Sequence, residues 1–298
     1  VGPNPPIRPL EISGRRIGFI LHDPTSPLLL GLMHSVESTL RETNQQTQVL
    51  FGGFSDEVES ERIREAVDAG AQGLIIWSLC GPLALAQISL LHARGFPVVL
   101  VDRCPRDLGV DCVLVDDTAG ARATAEHLLA FNHRLIAFVY GPETLELSST
   151  SARLASLRDI LAAHGSSTPA STHYHPKMVS QENMETTLEL TQSLLALPVR
   201  PTAIFCVNDA LAQAVAVCLA RLGVRVPGEI SLTGFDGLQY LPSGLRLTTV
   251  RRDVALMGRE AVRLLVERSN TPGLPARRLI LPVTFTPGET SGPLQLSS

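Results

Sequence analysis

The chain lacks the features that would place it in several large classes. No apolar run approaches the roughly 20 residues that a bilayer-spanning helix needs, and no signal peptide opens the sequence, although a start at Val1 leaves that absence without weight. Lys and Arg total 25 against 29 Asp and Glu, for a net charge of −4, so the chain lacks the basic excess of a protein that coats nucleic acid. Five cysteines (Cys80, Cys104, Cys112, Cys206, Cys218) form no CxxC pair; most sit in apolar segments, where they read as small buried hydrophobes and favour a reducing, cytoplasmic setting. There is no GxxxxGK[ST] phosphate loop, no HExxH and no GxSxG elbow. His173 and His175 in "HYH" share one strand face but lack a third ligand, so neither a metal centre nor a cofactor is expected. His127, His133 and His164 fall at helix ends or in loops and read as solvated or dipole-facing. Asp102, Asp236 and Arg153 could be drawn as acid–base machinery, but nothing supplies a nucleophile or electrophile, so no enzyme is expected.

What is present is an alternation. At 298 residues, 44% hydrophobic, the chain is too long for one ordinary core, and two domains are expected. Residues 1–14 carry four prolines and read as an extended linker. From "RRIGFIL" onward, β-rich runs near 17–21, 47–51, 73–77, 97–101 and 112–115 are separated by amphipathic stretches near 28–42, 57–69, 82–94 and 118–131. A second series has runs near 134–140, 171–175, 202–206 and 229–234, with helices near 151–164, 181–196 and 209–222. One more helix near 253–268 and a last strand near 279–285 follow, and periodicity does not say which lobe receives them. The pattern predicts an α/β fold of two doubly wound Rossmann-like lobes with mainly parallel sheets. "GLIIW", "FPVVLV" and "TAIFCV" are continuously apolar, as strands covered by helices on both faces should be, and Gly follows several helix ends. The 209–222 helix is small or apolar nearly all round, which suits burial against a second subunit or deep packing within its own lobe.

Four strands end in polar groups: "RRIGFILHD" in His22 and Asp23, "FPVVLVDR" in Asp102 and Arg103, "TAIFCVND" in Asn208 and Asp209, "ISLTGFDG" in Asp236. In open parallel sheets the crevice beyond the carboxyl ends of the strands is the binding site. Carboxylates and amides there can take hydrogen bonds from vicinal hydroxyls. Asp and Asn are also favoured helix caps, and Asp209, just before a long helix, reads first as a cap. Asp102 and Asp236 precede no clear helix start and read as ligand contacts.

At these residues the chain resembles the effector-binding core of the LacI/GalR transcription regulators. The matching pieces are "IGFILHDPTSP", "GLIIWS", "PVVLVDR", "VLVDDTAGARATAEHLLAFNHRLIAFVYGP", "SARLASLRDIL", "RPTAIFCVNDALA", "VRVPGEISLTGFDGL" and "LTTVRRDVALMGREAVRLL", which cover nearly everything from 15 to 292. The resemblance implies a fold of the type I periplasmic-binding-protein kind, with three interlobe crossings near 115–117, 250–252 and 281–283. The lobes would then be 15–116 with 251–281 and 117–250 with 282–298. It implies a small effector, a sugar or related metabolite, bound between the lobes of a homodimer. Position by position it implies contacts from His22, Asp23, Leu28, Leu29, Asp102, Arg103, Ser149, Arg153, Asn208, Asp236 and Arg252. Leu28 and Leu29 stand where relatives carry an aromatic pair, Met178 or Val179 where an aromatic packs on the ligand, and Arg252 where many use Gln. Arg103, Arg153 and Arg252 could offer forks to a carboxylate or phosphate, or could pair with Asp102, Asp23 and Asp236 and leave a neutral pocket. Such regulators reach DNA through an N-terminal domain, here expected to be missing from the chain; "VGPNPP" could also be the end of a winged-helix domain. The rival with the same fold is an exported solute-binding protein of a transporter.

Overall fold

The structure, a computed structural model, describes residues 14–141, 148–165, 184–238 and 240–294. The expected strand at 171–175, its His173 and His175, and Met178 and Val179 lie outside the described residues, as does the linker through residue 13. Chain contacts divide into two compact units: residues 1–101, 108–111 and 255–277, and residues 102–107, 112–254 and 278–298.

In the first unit, strands β1 (Arg16–Leu21), β2 (Gln46–Phe51), β3 (Leu74–Ile76) and β4 (Val98–Val101) pair in parallel, in the order β2-β1-β3-β4. All of β3 and β4 is buried, as their unbroken apolar runs require. Helix α1 (Pro27–Glu42) starts where the Ser26 hydroxyl accepts the Leu29 N–H and Pro27 presets the first turn. It turns the stripe Leu29, Leu32, Val36 and Leu40 to the core. Helix α2 (Asp56–Asp68) is capped by Ser55, and Asp56 takes the Leu83 and Ala84 N–H groups at 2.8 and 2.9 Å, capping α3 (Pro82–Ala93) as well.

Helix α8 (Val254–Asn270) packs on α1, where the Ser35 hydroxyl donates to the Ala255 carbonyl at 2.7 Å. The far end of α8 is fixed by Asp111, fully buried, whose carboxylate accepts from Arg268 at 2.9 and 3.0 Å and from the Arg277 backbone at 2.8 Å. Burial pushes the Asp111 carboxyl up, but the Arg268 and Arg277 bonds outweigh it and hold it below the usual range.

Asp111 opens β5 (Asp111–Val115), and the rest of this strand falls in the second unit. Its partner there is β10 (Arg278–Leu281), parallel, with Arg278 opposite Cys112. The main sheet of this unit is β6 (Ile136–Val139), β7 (Ala203–Cys206) and β8 (Ser231–Thr233), parallel in that order. It is accompanied by α4 (Asp117–Ala130), α5 (Ser148–Ala163), α6 (Met184–Leu195) and α7 (Asp209–Arg221). Phe138, Tyr140, Phe205 and Phe235 are fully buried at its centre.

The two doubly wound lobes of the sequence are thus present as parallel α/β sheets, with two corrections. The single strand expected near 279–285 is two, β10 and β11 (Val283–Thr286), because Pro282 has no N–H and breaks the ladder. And β11 runs antiparallel to β9 (Thr249–Arg252), with Val283 opposite Arg252, in a two-stranded ribbon that the strand runs of the sequence do not reveal.

Of the histidines read as solvated or dipole-facing, His127 stands half-buried in the last turn of α4, where it faces the helix dipole, and His133 alone is a correction, being buried. The segment 290–292 meets both, with His127 Nε2 at 2.8 Å from the Ser291 hydroxyl and His133 Nε2 donating to the Gly292 carbonyl at 3.0 Å. Burial pushes both imidazoles down from their usual range, His127 further opposed by His133 and His133 partly supported by the Gly292 bond. His164 does lie exposed at the end of α5, bonded to the Ile160 carbonyl.

Candidate functional site

Within the second unit the strand tips carry a buried ionic group. Asp102, just after β4, has φ +72°, and Asp236, two residues beyond the β8 run and its Gly234, has φ +141°. Both are conformations that L-residues rarely adopt, and no helix cap demands them. The Asp236 N–H donates to the Val250 carbonyl at 2.9 Å, so its backbone rides on β9 and brings the carboxylate to Arg252.

Arg252 then bridges two carboxylates, one guanidinium nitrogen bonding Asp102 and the other Asp236. Arg103 adds a second contact to Asp102, with Nε at 3.2 Å. The Arg252 and Asp102 side chains are 4% and 2% exposed, whereas Asp236 and Arg103 keep 13% and 17%, so a guest would meet the last two first.

Arg153, in α5, occupies a separate place in the same group. Its Nε and Nη2 reach one oxygen of Asp117 at 2.8 and 2.7 Å, and Nη1 donates to the Val207 carbonyl at 2.6 Å. Its guanidinium lies 3.6 Å from the centroid of the Phe235 ring. The ring fits because α4 has Gly120 there: a Cβ would stand 2.6 Å from it.

The two carboxylates bonded to Arg252 diverge. Burial pushes Asp102 up, but Arg252 and Arg103 outweigh it and hold the group below the usual carboxylate range. Asp236 has Arg252 as its nearest cation, and burial wins, leaving it raised. Asp117 is likewise raised by burial against the pull of Arg153. Arg252 is pushed up by Asp236 and Asp102 despite its own burial, so it stays protonated.

The cap expected of Asp209 is supplied by Asn208 instead. Asn208 is the cap of α7, its side-chain oxygen accepting the Leu211 N–H at 2.8 Å, and only its amide nitrogen is left to face a ligand. Asp209 is fully buried and ties three elements: it accepts from Gly237 N–H at 2.7 Å, Leu238 N–H at 2.6 Å and the Thr249 hydroxyl at 2.7 Å. Burial and the neighbouring Asp236 push it up to about 7, against those donors. Ser149 is buried in the first turn of α5.

The remaining predicted residues belong to the first unit. Asp23 accepts the Thr25 N–H and hydroxyl on one oxygen at 2.8 and 2.7 Å, a tight turn before α1. Leu29 is 3% exposed within the core stripe of α1 and Leu28 is half-buried. His22 lies edge-on to Phe54 and Trp77, with ring centroids 5.1 and 6.3 Å away.

The structure therefore groups Asp102, Arg103, Arg153, Asp236 and Arg252 in one unit, and His22, Asp23, Leu28 and Leu29 in the other. Arg153 pairs with Asp117. Sequence reasoning passed over Asp117 and Phe235. The doubled acid of "VLVDD" was the available signal: Asp116 caps α4 through the Ala119 N–H at 2.8 Å, which frees Asp117.

Comparison with known proteins gives a consistent picture. The periplasmic binding protein-like domain family matches over residues 125–291. The arabinose metabolism transcriptional repressor of Geobacillus stearothermophilus is 26% identical over 264 residues, covering 86% of this chain and 71% of the repressor. The ribose operon repressor of Haemophilus influenzae is 24% identical over 273 residues, covering 91% of this chain and 79% of its own length. Among solved structures, a LacI family transcriptional regulator from Enterococcus faecium with bound ribose has a TM-score of 0.77 at 25% identity, covering 94% of this chain and 100% of that one.

Proposed function

Because this chain belongs to the periplasmic-binding-protein-like domain family, in the form found in LacI/GalR regulators, we propose that it is the effector-sensing, dimerising core of a transcription repressor working in the cytoplasm. Its effector is a small neutral sugar or polyol, held at the strand tips of the second unit, where Asp236 and Arg103 keep the most exposure. DNA is reached through a separate DNA-binding domain, whose placement across the dimer changes when the effector selects one arrangement of the core. The ligand shifts that equilibrium only by its differential affinity, and complete switching needs on the order of 5.5 kcal/mol.

One observation supports the neutral class above the anionic one: Arg252 is already engaged by Asp102 and Asp236, and Arg153 by Asp117. An anionic effector would have to compete with buried carboxylates for both forks, whereas a hydroxyl can donate to Asp236 and accept from Arg103 without breaking either pair. The reading is tested by the matched pairs D-glucose and D-gluconate, and D-ribose and D-ribose 5-phosphate. The neutral member of at least one pair should raise the melting temperature and its anion should not. Stabilisation by the anions alone would reverse the assignment.

A further inference from the structure

The second unit holds a pair of thiols that the ionic group does not use. Cys104 follows directly on Asp102 and Arg103, and Cys112 begins the part of β5 that belongs to this unit. The Asp102 N–H donates to the Val113 carbonyl at 2.9 Å, so the two segments lie side by side. Their side chains meet: Cys104 and Cys112 are hydrogen-bonded to each other, and the Cys104 thiol also reaches the Pro105 carbonyl at 3.4 Å. Arg278 stands opposite Cys112 in the β10–β5 ladder, and its guanidinium donates to the Cys104 carbonyl at 3.2 Å and the Pro105 carbonyl at 3.4 Å. A cation is thus fixed beside the two sulfurs by a strand register and two hydrogen bonds.

This setting differs from that of the unit's other cysteines. The bond from Cys112 brings the Cys104 thiol down to about 7 against its own burial, with the Arg278 charge in support. Cys206 and Cys218 go the other way: burial pushes both thiols up, which keeps them protonated and inert. Cys104 is itself buried, but the residues that follow it are not: Pro105 is half-buried, and Arg106 and Asp107 are exposed. A local opening of this turn exposes the sulfur to a molecule as small as hydrogen peroxide.

We infer that Cys104 and Cys112 are a dithiol that hydroperoxides convert reversibly to a disulfide, a modification site that restrains the segment carrying Asp102 and Arg103. The Cys104 thiolate attacks one peroxide oxygen and keeps it as a sulfenic acid, while the O–O bond breaks and the other oxygen leaves as hydroxide. The Cys112 sulfur, giving up its proton, then attacks the sulfenic sulfur; the S–S bond forms and the oxygen departs as water. Two thiols are oxidised, one hydrogen peroxide is reduced to two waters, and an external dithiol reverses the change. Reversible disulfides of this kind are the ones that a reducing compartment allows. Arg103 and Asp102 stand one and two positions before Cys104, so the new bond lies beside the carboxylate that Arg252 holds. The dithiol is independent of the effector's identity.

The test treats the reduced, folded protein with hydrogen peroxide, blocks the remaining thiols with iodoacetamide after unfolding, and maps the tryptic peptides. Trypsin leaves Cys104 in residues 104–106 and Cys112 in residues 107–122. The bond should appear as these two peptides joined, lighter by two hydrogens than their sum, and should disappear with dithiothreitol. Cys112→Ala should stop at a Cys104 sulfenic acid that dimedone labels, while Cys206 and Cys218 stay unoxidised in both proteins. Amide exchange across residues 102–107 should slow severalfold in the oxidised wild type. Oxidation that falls on Cys80 and leaves the two peptides unjoined, or that joins them only in urea, overturns the dithiol. Unchanged exchange across 102–107 in the joined protein overturns the restraint on Asp102 and Arg103.

Discussion

Asp236 at φ +141° and Asp102 at φ +72° hold conformations that cost an L-residue about 1–3 kcal/mol each, and neither is repaid by a helix cap. The return is position: both carboxylates meet on one guanidinium. Such a group is sensitive to deletion. Arg153→Ala would leave Asp117 buried and uncompensated, so isosteric changes are the cleaner probes of binding. At Asp111 the role is structural alone, and Asp111→Asn should destabilise the protein by about 3–5 kcal/mol in urea unfolding, because Arg268 loses its charged partner in a buried setting. Retained stability would show that the hydrogen bonds, without the charge, suffice. That Asp102 and Asp236 do not cap helices was legible in the sequence because no helix start follows them, but their meeting on Arg252 was not. Arg153 and Asp117 were not legible as a pair: they stand 36 positions apart, and only the packing of α4 on α5 joins them.

At the scale of elements, β1 to β7 and the helices among the described residues follow the hydrophobic periods to within a few residues, since continuously apolar strands and Gly-terminated helices are strong local signals. The β9–β11 ribbon was missed because its order is long-range: Pro282 ends one pairing, and the partner strand lies some thirty residues earlier. The closing segment 290–292 was missed for the same reason, since Thr290, Ser291 and Gly292 have no period yet bond Leu232, Thr248, Ser231 and His133. This latch makes a pH prediction. The folded protein depresses the affinity of His127 and His133 for protons, so their contribution is present above about pH 6.5, the unfolded value, and is lost as pH falls through the lower folded values. Between pH 7.5 and 5 the histidines should therefore lower the melting temperature, against the opposite contribution of Asp209, whose raised carboxyl takes up its proton over the same range. His133→Gln should lower the melting temperature by the equivalent of about 1–2 kcal/mol at pH 7.5, and the gap to wild type should narrow as pH falls to 5. An unchanged slope in that variant would remove the latch from the explanation.

For the whole molecule, α7 decides the assembly. It buries Leu211, Ala212, Val215 and Leu219 in its own unit but leaves Ala216, Val217 and Ala220 beside Pro242 around a groove of about 450 Å³, so deep packing within its own unit does not account for its apolar outer face. The chain should sediment as a dimer at micromolar concentration, and Val217→Arg should shift it toward monomer; a monomeric wild type would contradict the regulator assembly. The central claim is narrower than the assembly: a neutral sugar is gripped through Asp236 and its Arg252–Asp102 support. The direct measurement is calorimetric titration of wild type and Asp236→Asn with the neutral sugar that stabilises the protein most. The account expects a single-site isotherm in wild type and at least a tenfold loss in the variant, the scale of one charge-assisted hydrogen bond. Equal affinity in the two proteins would contradict it.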